Sequence, residues 1–156
     1  MKNKYFYLFS IGEIGIAEND GIITDIFFKE LRDIKANVYE SKIIREAKTQ
    51  LEEYFSGKRR EFNLKISPYG TEFQKKVWNE LLKIDYGNCV SYGYIAERIG
   101  NKKAARAVGM ANNKNPIVII IPCHRVIGSD GNLTGYAAGI EIKKKLINLE
   151  TNNRNY

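Results

Sequence analysis

Up to residue 28 the chain consists largely of short apolar runs separated by polar or turn-forming residues, a pattern that favours short β-strands. Residues 5–9, 11–17 and 22–28 are apolar and rich in β-branched and aromatic side chains. Between the last two runs stands Asn19-Asp20-Gly21, a sequence typical of a tight hairpin turn. The pattern therefore predicts a small N-terminal β-sheet that contains a hairpin.

The pattern then changes to the period of a helix over residues 40–56, and Gly57 follows as a stop. The predicted inner face consists of Ile43, Ile44, Ala47, Leu51, Tyr54 and Phe55. Apolar and polar side chains alternate over residues 61–66, which predicts one more strand. Its apolar side consists of Phe62, Leu64 and Ile66.

A boundary follows at Pro68 and Gly70, because proline and glycine interrupt regular structure. We therefore expect an N-terminal α/β domain over residues 1–67 and a second domain over residues 68–156.

The second domain has the 3.6-residue period of helices. Thr71 and Gln74 form a capping-box pattern, in which side-chain and backbone groups at a helix start satisfy each other. Further on, Ser91 precedes a short helix that Gly100 ends, and a second short helix is predicted over residues 102–111. Two short helices joined by a glycine-containing turn are typical of a helix-turn-helix.

Two elements complete the predicted fold. Residues 117–121 are all isoleucine or valine, which favours a short, fully buried strand. The last helix is expected over residues 140–150, with an inner face of Ile142, Leu146 and Leu149. The fold class is therefore expected to be α+β. A small sheet with a helix comes first, then a mostly helical domain with a helix-turn-helix and a short buried strand leading to Cys123.

Composition is that of a globular protein. The 156 residues are 44% hydrophobic and 12% aromatic, which is too apolar for a disordered chain. Glu13 interrupts the apolar N-terminal segment and no small-residue cleavage site follows, so we expect no signal peptide. No apolar run approaches the roughly 18 residues of a membrane span. We expect a soluble, intracellular protein.

The net charge of +7 is concentrated in the second part of the chain. Residues 1–70 contain 12 Lys and Arg against 11 Asp and Glu, whereas residues 71–156 contain 13 against 7. Such an excess indicates a surface that binds phosphates or another polyanion. A solvated basic surface without a partner is the alternative that charge alone leaves open.

The chain has two cysteines, Cys89 and Cys123, and one histidine, His124. These are too few for a disulfide framework, and a structural zinc site usually takes four such ligands. We therefore expect neither a metal nor a cofactor. Cys89 is expected to be an ordinary structural residue.

Cys123 is the strongest candidate for chemistry. It follows the predicted buried strand and Pro122, whose backbone angle is fixed, so its thiol would be held still. His124 would serve as a base or as a positive neighbour that favours the reactive thiolate. Neighbouring side chains on an extended chain point to opposite sides, so the pair needs a bend after Pro122 or a bridging water. On these residues alone, a buried structural cysteine remains open.

Several motifs occur around Cys123 in a fixed order. They are Ala-Ala-Arg-Ala-Val-Gly at 104–109, Asn115-Pro116, Ile-Pro-Cys-His-Arg-Val at 121–126, and Gly135-Tyr136. With these motifs the chain resembles the O6-alkylguanine-DNA alkyltransferase family, also called methylated-DNA–protein-cysteine methyltransferases. The resemblance extends over residues 68–150. It implies direct DNA repair, in which an alkyl group moves once per protein molecule from O6 of guanine, or O4 of thymine, to cysteine.

The resemblance assigns catalytic roles to five residues. Cys123 is the alkyl acceptor, His124 takes the thiol proton through a water, and Glu150 orients the histidine. Asn115 ties the recognition helix to the active-site strand, and Tyr92 donates a hydrogen bond to the flipped guanine as it leaves. The implied guanine pocket is lined by Val126, Tyr136, Ala137 and Ala138. The last of these stands where the family often has glycine, which would narrow the pocket mouth.

The resemblance also implies a DNA interface on the helix-turn-helix. Arg106 matches the residue that enters the base stack when the nucleotide is extruded. Ala104 and Ala105 are small enough for the helix to lie close to the minor groove of DNA. Further candidates for DNA contact are Ser91, Lys102 and Lys103. We expect a monomer without an obligate protein partner, bound to double-stranded DNA that contains O6-alkylguanine, in the cytoplasm and on the nucleoid.

Three other functions remain open from the sequence. A non-catalytic binder of damaged DNA would lack the acceptor cysteine, whereas Cys123 is present. A cysteine hydrolase would turn over and would not need a basic helix-turn-helix. A helix-turn-helix regulator would use Cys123 as a core residue or as a sensor of alkylation.

Overall fold

The computed structural model describes residues 1–133 and 135–153. In these two segments lie five α-helices, a four-stranded sheet and a pair of two-residue strands. None of the helices described is long and apolar enough to cross a membrane. The chain divides into two compact units, of which the first is Met1–Tyr69 with Pro116–Val118. The second comprises the described residues of Gly70–Asn115 and Ile119–Tyr156.

The first unit is built on the sheet, and the three predicted strands are confirmed. Its strands are β1 (Lys2–Phe9), β2 (Gly12–Asn19), β3 (Ile22–Phe28) and β4 (Asn37–Val38), in the order β3-β2-β1-β4. Neighbours are antiparallel except β1 and β4. Asp20 and Gly21 both have positive φ, at 53° and 82°, so the predicted turn forms through backbone angles that Asp and Gly tolerate.

Helix α1 (Lys42–Phe55) packs against this sheet. Its buried face comprises Ile44, Ala47, Gln50, Leu51 and Tyr54. The predicted apolar stripe is therefore nearly right, but Ile43 and Phe55 are only half-buried and a polar residue, Gln50, takes an inner position.

The prediction of a strand over residues 61–66 is wrong. Burial does alternate there as expected, but only Ile66 forms a bridge, with Ile23. The reason lies in Gln50, whose side chain accepts from the Asn63 backbone N–H at 2.9 Å and donates to its carbonyl at 3.1 Å. A side chain thus satisfies backbone groups that a partner strand would otherwise take.

The second unit is mostly helical. Its elements are α2 (Glu72–Leu81), β5 (Val90–Ser91), α3 (Tyr92–Arg98), α4 (Ala105–Asn113), β6 (Val126–Ile127) and α5 (Ile140–Asn153). The capping box of Thr71 and Gln74 is present. Trp78 is buried and donates from Nε1 to the Ala111 carbonyl at 2.9 Å, which ties α2 to α4.

The helix-turn-helix prediction is confirmed, with α3 and α4 as its helices. Gly100 takes a φ of +88° in the turn, where a side chain would be strained. Helix α4 begins three residues later than predicted, because Asn101 closes a turn first. Its side chain accepts from the Lys103 N–H at 3.2 Å and its carbonyl from the Ala104 N–H at 3.0 Å.

The prediction of a buried strand over residues 117–121 is also wrong. Ile117, Ile119 and Ile121 are buried, but the run forms bridges and a turn instead of a strand. Ile117 bridges Ile26 of β3, while Ile119 has a φ of 74°, a left-handed angle that a β-branched residue rarely adopts. The chain turns at Ile119 and so cannot stay extended.

Helix α5 extends to Asn153, and its buried face differs from the predicted one. Its buried residues are Lys143, Leu146 and Glu150, while Ile142 and Leu149 are half-buried. Two charged side chains thus take inner positions that hydropathy assigns to apolar ones. Their partners define the candidate site.

Candidate active site

Cys123 lies on a 3₁₀ turn, Cys123–Arg125, directly after Pro122. The turn is closed by two backbone hydrogen bonds, from the Cys123 N–H to the Ile121 carbonyl at 2.8 Å and from the Arg125 N–H to the Pro122 carbonyl at 3.0 Å. The backbone therefore bends after Pro122. A bend or a bridging water is what a joint role of Cys123 and His124 needs, and the bend is present. Both side chains are buried.

Two asparagine side chains hold this turn. Asn115 donates from Nδ2 to the Ile121 carbonyl at 2.7 Å, so the predicted link between the helix-turn-helix and the cysteine segment is present. Asn112, on the buried face of α4, donates from Nδ2 to the Cys123 carbonyl at 3.2 Å. Sequence analysis missed Asn112. Its signal was a polar residue at an inner position of a helix.

His124 and Glu150 form a buried pair. The Nε2 atom of His124 lies 2.6 Å from Oε2 of Glu150, and the two side chains are 0% and 2% exposed. An ionised carboxylate only accepts hydrogen bonds, so Nε2 carries the proton of the neutral ring. Among the described residues, Nδ1 of His124 has no hydrogen-bond partner. This nitrogen is the one left to accept a proton.

Arg125 is a second partner of Glu150 that sequence analysis missed. It donates from Nε to Oε1 at 2.8 Å and from Nη2 to Oε2 at 3.1 Å, and from Nη1 to the Ile84 carbonyl at 2.6 Å. The Gly87 backbone N–H also donates to Oε1 of Glu150, at 3.2 Å. Arg125 belongs to the Ile-Pro-Cys-His-Arg-Val motif at 121–126. The sequence therefore places it near Cys123 but does not identify Glu150 as its partner.

These contacts fix the charges of the pair. Burial alone would raise the pKa of Glu150, but hydrogen bonds from His124 and Arg125, together with the positive charge of Arg125, hold that pKa well below its usual range. Burial lowers the pKa of His124, against the opposing influence of Glu150. At neutral pH the carboxylate is therefore ionised, and the imidazole is uncharged and held in one tautomer.

Burial also raises the pKa of the Cys123 thiol, to about 11, although the amide of Asn115, the charge of Lys143 and the hydroxyl of Tyr136 oppose the rise. The resting thiol is thus protonated at neutral pH. Lys143, which sequence analysis did not single out, is fully buried, with Nζ 5.8 Å from the centroid of the Tyr92 ring. Burial lowers the pKa of Lys143.

A surface cavity of about 560 Å³ opens between the helix-turn-helix and the loop that follows the cysteine turn. It is lined by Tyr92, Gly93, Ala105, Arg106, Gly109, Met110, Asn113, Ser129 and Gly135. The cavity brings together three residues of the predicted site, Tyr92, Ala105 and Arg106. Burial raises the pKa of Tyr92, and the charge that an ionised Cys123 would carry nearby raises it further.

Two glycines shape the cavity around Tyr92. A methyl group on Gly135 would lie 2.8 Å from the Tyr92 hydroxyl oxygen, and Gly135 also has a φ of +86°. A methyl group on Gly109 would lie 3.8 Å from the Tyr92 ring, which is ordinary contact. Gly135 is thus needed both for its backbone angle and for the room it leaves to Tyr92.

The remaining predicted residues lie around this site at different depths. Ala104 is buried, so Ala105 and not Ala104 presents its side chain to the cavity. Ser91 caps α3 by accepting from the Tyr94 N–H at 3.0 Å. The other positions are exposed Lys102, Lys103 and Ala137, half-buried Ala138, and buried Val126 and Tyr136.

Cys89 is an exposed free cysteine. Within residues 1–133 and 135–153, no group of three or more histidine, cysteine, aspartate or glutamate side chains is arranged to hold a metal ion.

Family models match both parts of the chain. Residues 4–68 match the ribonuclease-like domain of 6-O-methylguanine DNA methyltransferase, and residues 72–152 match the DNA-binding domain of the same family. A methylated-DNA–protein-cysteine methyltransferase of Methanosarcina acetivorans is 50% identical, over 94% of this chain and 97% of the relative. The constitutive enzyme of that name from Bacillus subtilis is 47% identical, over 90% of each chain.

Solved structures agree with these sequence matches. The structure of Mycobacterium tuberculosis OGT in complex with DNA is 41% identical and superposes with a TM-score of 0.92, covering 97% of this chain and 94% of that one. The family models together span nearly the whole sequence, and the relatives exceed 45% identity over at least nine-tenths of it. The chain therefore belongs to the methylated-DNA–protein-cysteine methyltransferase family.

Proposed function

We propose that this protein repairs alkylated DNA by moving the alkyl group from O6 of guanine to Sγ of Cys123. The observation that carries the proposal is a buried pair beside Cys123: Nε2 of His124, on the turn that holds the cysteine, lies 2.6 Å from Oε2 of Glu150 on α5. Family membership and the DNA complex of the Mycobacterium tuberculosis relative support DNA as the partner.

Glu150 and His124 prepare the base. Because Glu150 is ionised and accepts from Nε2–H, the free lone pair lies on Nδ1 of the histidine. A water between Nδ1 and the thiol would carry the proton from Cys123 to His124, and Glu150 would stabilise the imidazolium that forms. Arg125 keeps the carboxylate in position with two hydrogen bonds.

The thiolate then attacks the carbon attached to O6. A bond forms between Sγ and the alkyl carbon, and the bond between that carbon and O6 breaks. The electron pair stays with guanine, which takes up a proton as it leaves, and we expect the Tyr92 hydroxyl to donate to a ring nitrogen. The product is a thioether, which water does not readily cleave, so each protein molecule repairs one lesion.

The base must leave the duplex before this reaction, because O6 is covered by base pairing and stacking. Extrusion costs a few kcal/mol. Arg106 is exposed at the cavity rim on α4 and would fill the space that the nucleotide leaves. Ala105 lets α4 lie close to the minor groove, and the exposed Lys102 and Lys103 would contact phosphates.

The same chemistry extends to O4-alkylthymine, which also presents an alkyl group on an exocyclic oxygen. The site uses residues of one chain, and we propose that the protein acts as a monomer. Its substrate is chromosomal, so we place it in the cytoplasm, on the nucleoid when it is bound to DNA.

The test is the mass of the cysteine peptides after incubation with a duplex that carries one O6-methylguanine. We expect one methyl group on the Cys123 peptide, none on the Cys89 peptide, and no repair beyond one equivalent. A Cys123→Ser variant should bind the duplex and leave the lesion intact. Repair of several equivalents contradicts the proposal, and so does tight binding with an unmodified Cys123, which would favour a non-catalytic binder or a regulator.

A further inference from the structure

Helix α4 presents a second long side chain beside Arg106. Met110 follows Arg106 by four residues, so the two side chains lie on one helix face, about 6 Å apart along the axis. Met110 is 67% exposed and lines the same cavity as Arg106. Of the three other α4 residues that line the cavity, Ala105 and Gly109 are small, and Asn113 lies at the end of the helix. Arg106 and Met110 therefore project further from this face of α4 than the small residues beside them.

The buried residues of α4 lie on its other side. Val108, Ala111 and Asn112 are buried, and they connect the helix to the rest of the second unit. Met110 is therefore not a core residue. The proposed alkyl transfer does not use it either, because the roles in proton transfer and displacement fall to Cys123 and its buried partners.

We infer that Met110 is a second DNA-contacting finger, which packs its thioether against the duplex next to the site of extrusion. This inference rests on the proposed function. With α4 lying along the groove and Arg106 in the vacated position, the 6 Å offset would correspond to about two base steps, since bases are spaced by about 3.4 Å. Apolar side chains pressed against base steps in the minor groove weaken stacking and favour a bend.

Methionine suits this contact because its side chain is unbranched, has three rotatable bonds and adapts to irregular surfaces. A flexible apolar group also accepts any base sequence, as a repair protein requires. The role assigned to Met110 is thus to favour extrusion from duplex DNA, and it has no part in the displacement at Cys123.

The experiment compares methyl transfer from duplex and single-stranded oligonucleotides of the same sequence, each with one O6-methylguanine. We expect Met110→Ala to lower the second-order rate constant with the duplex by about tenfold, as when a large apolar side chain loses part of its contact. With the single strand, where no duplex must be opened, the rate should change less than about twofold. Met110→Leu should restore most of the duplex rate, and Met110→Gln, which keeps the length, should not.

Leu82→Ala is the matched control, because Leu82 is a large apolar residue of the same unit, 45% exposed, and outside the cavity lining. It should leave both rates unchanged. Equal losses on both substrates would make Met110 a wall of the base pocket, and unchanged rates would make it an idle surface residue, so either overturns the inference. Failure of the unaltered protein to methylate Cys123 would instead overturn the proposed function.

Discussion

Each unit of the protein contains a carboxylate held by two basic side chains, and the two clusters differ in how far they are removed from water. In the first unit, Asp25 lies 2.7 Å from Nζ of Lys2 and 3.2 Å from Nη1 of Arg32, and both basic side chains are 38% exposed. In the second unit, Glu150 contacts His124 and Arg125, whose side chains are 0% and 9% exposed.

This difference in solvent exposure bears on the role of each cluster. Partners that reach solvent gain little from an ion pair, and they lose little when it is removed, because water replaces it. A buried cluster carries a large desolvation cost that only complete hydrogen bonding offsets, so it contributes little net stability while being sensitive to loss of any member. We therefore attribute the cluster at Glu150 to the chemistry proposed for Cys123, and not to a contribution to stability.

Removing the two carboxylates should separate the clusters most clearly. Glu150→Gln leaves the Arg125 charge buried without a counter-charge, so we expect a loss of about 3–5 kcal/mol in the free energy of unfolding. Methyl transfer should fall by about a hundredfold or more, because the base loses its orientation. Asp25→Asn should cost less, about 1–2 kcal/mol, because its partners reach water although its own side chain is only 10% exposed, and should leave methyl transfer unchanged. Urea unfolding and the peptide-mass assay measure both, and equal stability losses would contradict the distinction.

Exchanging arginine for lysine should give a smaller contrast. Arg125→Lys keeps the charge but cannot donate to both carboxylate oxygens and to the Ile84 carbonyl at once, so we expect a loss of about 1–3 kcal/mol. The matched change Arg32→Lys should cost only about 0.5 kcal/mol, because that partner is partly solvated. Urea titrations of the two variants against the unaltered protein make the comparison. A larger loss for Arg32→Lys is the result that the structure does not allow.

The smallest effect is a pH dependence that belongs to the buried cluster alone. Because burial lowers the pKa of His124, the unfolded chain takes up a proton near pH 6.5 that the folded chain does not. The unfolded state then binds more protons, so stability rises with pH, and we expect a loss of about 1 kcal/mol on going from pH 7.5 to 5.5.

The chain has one histidine, which makes the assignment direct. Unfolding by urea at several pH values should show the slope in the unaltered protein and in Asp25→Asn, and should show it flattened in His124→Asn. The lowered pKa of Glu150 adds a separate loss of stability at more acidic pH, below the ordinary glutamate range. A flat profile for the unaltered protein above pH 5.5 would show that burial does not shift the histidine.

The sequence predicted best what depends on neighbouring residues. The hairpin at Asp20 and Gly21 and the capping box at Thr71 follow from local turn and cap chemistry, and both are present. The run over residues 117–121 was mistaken for a strand, because hydropathy reports burial and not hydrogen-bond partners. Ile119 adopts a left-handed angle that no pattern in the run reveals.

The candidate site could be predicted only in part for a related reason. Motifs around Cys123 located the cysteine and histidine, and the family resemblance added Glu150, which periodicity alone places at an exposed helix end. Lys143 and Arg125 were missed, because a charged residue is expected on the surface unless its partner is known. Such partners are distant in the chain: Arg125 and Glu150 are 25 residues apart.

Burial of Cys123 also affects how long its thiol stays unmodified in the cell. A thiol with a pKa of about 11 is ionised in only about one molecule in ten thousand at pH 7. Cellular oxidants and electrophiles react with the ionised form of a thiol. In Cys123 that form is scarce, and burial also limits access to the sulfur atom. If each molecule is used once, as proposed, its thiol must stay unmodified until the molecule meets a lesion. Burial of the thiol would then prolong the time over which the protein remains able to react.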